Sequence, residues 1–119
     1  MGAVVELDAF SGLPNPEWEL TTEESDEFQR RLHELKDSDR RERRYEGLGF
    51  RGFKVAGLTG YEEVVVGKLT VWVRGTDGEE SILKDPECRL ARFLVGTAKG
   101  RVTEPPYVAS LAEIEGTVT

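Results

Sequence analysis

Glu62-Glu63-Val64-Val65-Val66-Gly67-Lys68-Leu69-Thr70-Val71-Trp72-Val73-Arg74 is the most strongly patterned stretch of the chain. β-Branched and aromatic residues dominate it, the composition that fits a pleated, half-buried surface. Read as one strand, it sets Val65, Leu69, Val71 and Val73 on one face and Val64, Val66, Thr70 and Trp72 on the other. Gly67 is then a bulge or bend within it. Both faces carry apolar residues, so both need partial cover. Thr76-Asp77-Gly78 follows as a hairpin turn, and Glu80 to Lys84 returns through Ile82 and Leu83.

Upstream, Phe50 to Ala56 reads as a further strand with irregular ends, set among glycines 47, 49, 52, 57 and 60. Ala3 to Phe10 reads as the first strand, with Val5 and Leu7 on one side and Val4, Glu6, Asp8 and Phe10 on the other. Between these two strands, Thr21-Thr22-Glu23-Glu24 has the form of a capping box, in which the Thr21 hydroxyl and the Glu24 carboxylate each bind the other's amide. Phe28, Leu32 and Leu35 then repeat at helical spacing, ending near Lys36. Residues 37 to 46 are almost wholly charged.

Downstream, Asp85-Pro86-Glu87 has the form of a helix start, with Asp85 as cap and Pro86 in the first helical position. Leu90, Phe93, Leu94 and Thr97 line one face, and Lys99-Gly100 supplies the stop. The tail, with Pro105-Pro106, Tyr107, Leu111 and Ile114, docks as an extended arm or a short helix. The predicted fold is a single α+β domain over residues 1–119. It has an antiparallel sheet of about four strands with two helices packed on one face, in the order β-α-β-β-β-α plus a C-terminal tail.

Composition limits function. The 119 residues are 38% hydrophobic and 33% charged, with a formal net charge of -7. A dominant basic surface is lacking, which argues against DNA or an anionic membrane as the main partner. One cysteine, Cys88, and one histidine, His33, exclude a disulfide framework and a His/Cys metal site. Neither a metal nor a cofactor is expected. Sparse cysteine and the lack of a basic-then-apolar opening segment fit a cytoplasmic protein.

Several motifs are weighed and set aside. Gly47-Leu48-Gly49-Phe50-Arg51-Gly52 matches G-x-G-x-x-G, but a charged run precedes it and a strand follows, where a dinucleotide site needs a strand and then a helix. Arg40, Arg41, Arg43 and Arg44 beside Tyr45 are interleaved with Asp39, Glu42 and Glu46, as in a solvated, charge-balanced segment. Cys88 has no base beside it and reads as a buried structural cysteine. Among the many carboxylates, Asp8 ranks first as an acid–base group, because it enters the oddest loop of the chain.

That loop is Phe10-Ser11-Gly12-Leu13-Pro14-Asn15-Pro16-Glu17-Trp18. The two prolines fix two φ angles and push Leu13 and Asn15 to extended conformations. The run resembles an F-S-G-x-P-N-P-x-W motif of small uncharacterised bacterial proteins. Gly49-Phe50-Arg51-Gly52-Phe53 and the Asp85-Pro86 helix start with Leu90 are similar to further parts of that pattern. Leu13 stands where the pattern has a basic residue, and the resemblance brings no activity with it.

Two function classes follow. The first is a small binding or accessory module that recognises a small ligand, a peptide or a partner subunit through the rigid 10–18 loop. Ser11, Asn15, Trp18 and Arg51 are its binding residues, with a sheet-edge homodimer as a further partner arrangement. The second is a small cofactor-independent enzyme of isomerase, cyclase or hydrolase type, with Asp8 and Tyr45 handling protons. A third reading makes the loop a structural clamp, with Trp18 stapling the first helix to the sheet.

Overall fold

The computed structural model describes residues 2–8, 14–38 and 52–118. The α+β class holds, but among the described residues the sheet has seven strands and three helices accompany it, where about four strands and two helices are expected. The chain runs β1 (Val4–Asp8), β2 (Glu17–Glu19), α1 (Thr22–His33), β3 (Lys36–Asp37), β4 (Gly52–Ala56), β5 (Tyr61–Val66), β6 (Thr70–Gly75), β7 (Glu80–Lys84), α2 (Arg89–Ala98) and α3 (Pro105–Val118). The strands lie in the order β2-β1-β4-β5-β6-β7-β3, and every pairing is antiparallel.

The largest correction falls on residues 62–74, which form two strands and not one. The chain reverses at Lys68-Leu69, where the Gly67 amide donates to the Thr70 carbonyl at 2.9 Å. Val64 therefore pairs with Val73, Val65 with Trp72 and Val66 with Val71. The reversal regroups the side chains, so that Val64, Val66, Val71 and Val73 share a face and Val65 joins Trp72 on the other. The turn escapes a sequence reading because Lys-Leu lacks the glycine or asparagine that marks most two-residue hairpins.

The other additions are short or late. β2 is a three-residue strand that carries Trp18, and β3 is a two-residue strand against β7. Neither is long enough to show an alternating pattern. Both edge strands carry exposed charge, at Glu17, Glu19, Lys36 and Asp37, which discourages pairing with another chain. The proline pair opens α3 because the first helical amides have no partner within the helix in any case.

Register explains the core. Leu7, Phe53, Val66, Val71 and Leu83 form one cross-strand row, and Val5, Val55, Val64 and Val73 a parallel one. Phe28 and Leu32 of α1, Leu90 and Leu94 of α2, and Leu111 and Ile114 of α3 pack on these rows in a single buried cluster. Val65, Trp72 and Ile82 form a separate small cluster on the opposite face. Gly52 begins β4 at a φ of +140°, and a Cβ there would meet the Val66 carbonyl oxygen at 2.9 Å, so the close approach of β4 and β5 requires glycine.

The helix ends set up the site. Thr21 and Glu24 form the expected capping box, with bonds of 3.1 and 2.9 Å. Burial raises the Glu24 carboxyl, but hydrogen bonds from Arg101 and from the Thr21 amide outweigh it, and the net direction is down. α2 begins at Arg89, three residues later than the Asp85-Pro86 signal alone would start it. Pro86 and Glu87 form a turn, and Cys88 stands at the N-cap with a left-handed φ of 56°. Asp85 still supplies the cap: its buried carboxylate accepts from the Arg89 and Leu90 amides at 3.0 and 2.9 Å.

Candidate functional site

Two regions compete, and the first is the described part of the 10–18 loop. Trp18 is only 5% exposed and packs edge-on against Phe53, with ring centroids 6.3 Å apart. Its indole N–H donates to Thr97 Oγ1 at 2.8 Å, and that hydroxyl donates in turn to the Leu94 carbonyl at 2.7 Å. The one polar atom of Trp18 is thus engaged across the core with α2. Asn15 Nδ2 donates to Glu6 Oε2 at 2.7 Å, leaving Asn15 Oδ1 buried without a partner. The Pro14 carbonyl accepts from the Tyr107 hydroxyl of α3 at 2.9 Å.

Asp8 lies nearby at the end of β1, with Lys54 Nζ 3.8 Å from its carboxylate. Ser11, Arg51 and Tyr45 lie outside the described residues, as do the arginines at 40, 41, 43 and 44. Of the four residues expected to bind a ligand, the structure therefore places Asn15 and Trp18, and it engages both internally. Cys88 is 7% exposed, whereas His33 is exposed with its ring centroid 6.0 Å from that of Tyr61. Among the described residues no group of three or more His, Cys, Asp or Glu is placed to hold a metal ion, and no helix is long and apolar enough to cross a membrane.

The second region is a cleft of about 590 Å³ between the end of α1 and the start of α2. Arg30, Arg31, Arg89 and Arg92 line it, together with Glu34 and the half-buried ring of Phe93. Among the described residues, four guanidiniums and one carboxylate thus line the cleft of a chain whose net charge is -7. At the α1 end the cations suit the helix dipole, since a C-terminus carries partial negative charge. At the α2 end they oppose it: Arg89 and Arg92 stand within the first four residues, and the first turn holds no acid.

Neighbouring carboxylates hold the arginines in place. Glu27 Oε2 accepts from Arg30 Nη2 at 2.5 Å and from Arg31 Nε at 2.6 Å. These two partners draw the Glu27 carboxyl down from 4.5 to about 2, and the same contact raises Arg30. Glu34 also takes Arg30 Nη1 at 3.3 Å. The Arg31 guanidinium lies 4.9 Å from the centre of the Phe93 ring, a cation–π distance. Arg89 Nε donates to Glu87 Oε2 at 2.8 Å, and its Nη2 lies 2.8 Å from the same oxygen in an ion pair. Arg92 Nη2 donates to the Glu87 carbonyl at 2.7 Å.

Donors remain after this. Among the described residues, both Nη groups of Arg31 and the Nη1 groups of Arg89 and Arg92 have no hydrogen-bond partner. Arg30 is fully engaged, with Nε and Nη2 donating to Glu27 and Nη1 to Glu34, whereas Arg31, Arg89 and Arg92 are each oriented through part of the fork and line the cleft with the rest unpartnered among the described residues. This is the geometry that takes carboxylate or phosphate oxygens in pairs. Sequence reasoning missed these residues because arginines on an exposed helix are ordinary. The available signal was their position: Arg89 and Arg92, three apart, directly follow a helix-start motif where cations are disfavoured.

No family model matches the chain, and neither a curated protein nor a solved structure matches it.

Proposed function

We propose that this chain is a binding or accessory module that recognises an anionic group in the cleft between α1 and α2. The observation that carries this reading is the convergence of Arg30, Arg31, Arg89 and Arg92 on one cleft of a strongly acidic chain. Helix electrostatics do not account for the second pair, which stands at the helix end where cations are disfavoured. Among the described residues the cleft holds no nucleophile with an adjacent base, so binding describes its chemistry better than turnover does. On this reading the 14–18 segment is a clamp that joins β2, α2 and α3, and it supports the cleft only by holding the helices on the sheet.

Titration with citrate, followed by calorimetry or by amide chemical shifts, tests the proposal. Shifts are expected at Arg30, Arg31, Arg89 and Arg92 and not around Trp18. The double variant Arg31→Gln/Arg92→Gln removes two charged donors, each worth about 1.5–3 kcal/mol, and is expected to weaken binding by about 100-fold. Binding that survives this variant unchanged would place the site elsewhere.

A further inference from the structure

We propose that the occupant of the arginine cleft is an extended acidic peptide segment of a partner protein, with an apolar side chain between its acids. This rests on the anion-binding reading above and narrows it. The cleft does not end at the arginines. A second depression, of about 250 Å³, shares Glu34 and Arg89 with it and continues past the Asp85-Pro86 turn to the sheet edge. Leu35 and Pro86 line this second compartment together with Lys36 and Lys84. Leu35 is half-buried against the core and Pro86 is exposed, so they form an apolar shelf.

The trough therefore offers two positive stations, the arginines at one end and Lys36 with Lys84 at the other, and an apolar surface beside the second. Compact oxyanions would use one station and leave the other idle. A nucleic-acid strand would present phosphates at every step, and it would set them against Glu34, Asp85 and Glu87, which lie along the trough. A peptide with spaced carboxylates places its charge at the stations and keeps its neutral backbone beside those acids. Phe93, under the Arg31 guanidinium, gives the first compartment an apolar floor as well. Small-molecule sites are mostly apolar and enclosed, whereas this trough is charged and open to solvent, as a peptide surface is.

The test uses the full chain and a fluorescein-labelled peptide of sequence Glu-Glu-Leu-Glu-Glu, read by anisotropy. Three other probes are run beside it: the same peptide with serine for leucine, citrate, and an oligothymidylate. Two variants are compared, Arg31→Gln/Arg92→Gln for the first compartment and Lys84→Glu for the second, all at exposed or half-exposed positions and checked by thermal melts. The leucine peptide is expected to bind more tightly than citrate and than its serine counterpart. Lys84→Glu should weaken it about tenfold or more, the loss of one charged contact, and the double arginine variant about 100-fold, the loss of two. Citrate binding that depends on the arginines, with no gain for the peptide and no response to Lys84→Glu, overturns the peptide inference and leaves the anion reading standing. Tighter binding of the oligothymidylate overturns it in favour of nucleic acid. No binding of any probe overturns both readings.

Discussion

The segment around Trp18 and the cleft between α1 and α2 are opposites in how they use polar groups. Around Trp18, the indole N–H, the Thr97 hydroxyl, the Asn15 amide nitrogen and the Pro14 carbonyl have partners inside the molecule, and of this set only the Asn15 amide oxygen lacks one. In the cleft, Arg31, Arg89 and Arg92 are each held by part of their fork and keep donors without a partner among the described residues, while Arg30 is engaged by Glu27 and Glu34. The first arrangement makes a fold rigid, and the second leaves binding capacity unused. Unusual composition therefore marks the rigid region, and common surface residues make the candidate binding region. What separates them is the partners each group finds, which composition does not record.

The largest effect expected from breaking this contrast is at Trp18. Trp18→Ala removes a buried aromatic side chain and the indole donor to the Thr97 hydroxyl, so it should destabilise the fold by about 3–5 kcal/mol in denaturant titration. Citrate binding, measured at a temperature where the variant is folded, should stay within about twofold, the scatter of a site without shared contacts. Specific loss of binding in the folded variant would show that the two regions are one site.

Asp85 stands on the border between the two kinds of region, and a smaller effect is expected there. Its buried carboxylate caps α2 and also borders the second compartment of the trough. Asp85→Ala leaves two helix amides unsatisfied and should cost about 1–3 kcal/mol. Because α2 carries Arg89 and Arg92, anion affinity should fall along with stability. Asp85→Asn keeps an acceptor oxygen and should recover part of both. Loss of stability without loss of affinity would mean that α2 does not need its cap to present the arginines.

Much of this was legible along the chain, and the exceptions have physical causes. The capping box at Thr21 and Glu24, the turn at Thr76-Asp77-Gly78 and the apolar stripe of α2 rest on local interactions that the sequence carries in full. The α+β class follows from the same elements. The hairpin within residues 62–74 was hidden because its turn residues, Lys68 and Leu69, are conformationally ordinary, and the strand pairing that demands the turn is non-local. β2 and β3 exist only because β1 and β7 offer them edges. The arginine cleft depends on α1 and α2 lying side by side, and no spacing rule connects residues 30 and 31 with residues 89 and 92.

Removing cleft charge should leave the fold nearly untouched. Arg31→Gln/Arg92→Gln is expected to change stability by less than about 0.5 kcal/mol for each substitution, as at exposed positions, while anion binding is largely lost. A stability loss as large as that of Trp18→Ala would show that the arginines are structural, and would erase the contrast between the regions.

The smallest and most discriminating effect is at Glu27, which holds Arg30 and Arg31 from outside the cleft. Its folded-state carboxyl is lowered to about 2 by hydrogen bonds from Arg30 and then Arg31, against 4.5 for an unpaired glutamate. A lowered folded-state value means that the pairing stabilises the fold fully above pH 4.5. That contribution is lost as the pH falls from 4.5 towards 2, and solvent exposure keeps it small. Glu27→Gln should therefore lower stability slightly at neutral pH, where the pairing is fully present, and flatten the acid limb between pH 4.5 and 2, so that the two proteins converge at the acid end. For binding, Glu27 is both an orienter and a competitor. Its three contacts engage the Arg30 Nε, one Arg30 Nη group and the Arg31 Nε and leave the Arg31 Nη groups open. Removing its charge raises the potential of the cleft without occupying any donor a ligand would use. Glu27→Gln is thus expected to raise citrate affinity by roughly two- to threefold at low salt, an increase that 0.5 M salt abolishes. A fall in affinity would mean instead that the arginines depend on Glu27 for their geometry, and that the cleft is held in order from outside much as Trp18 is held from within.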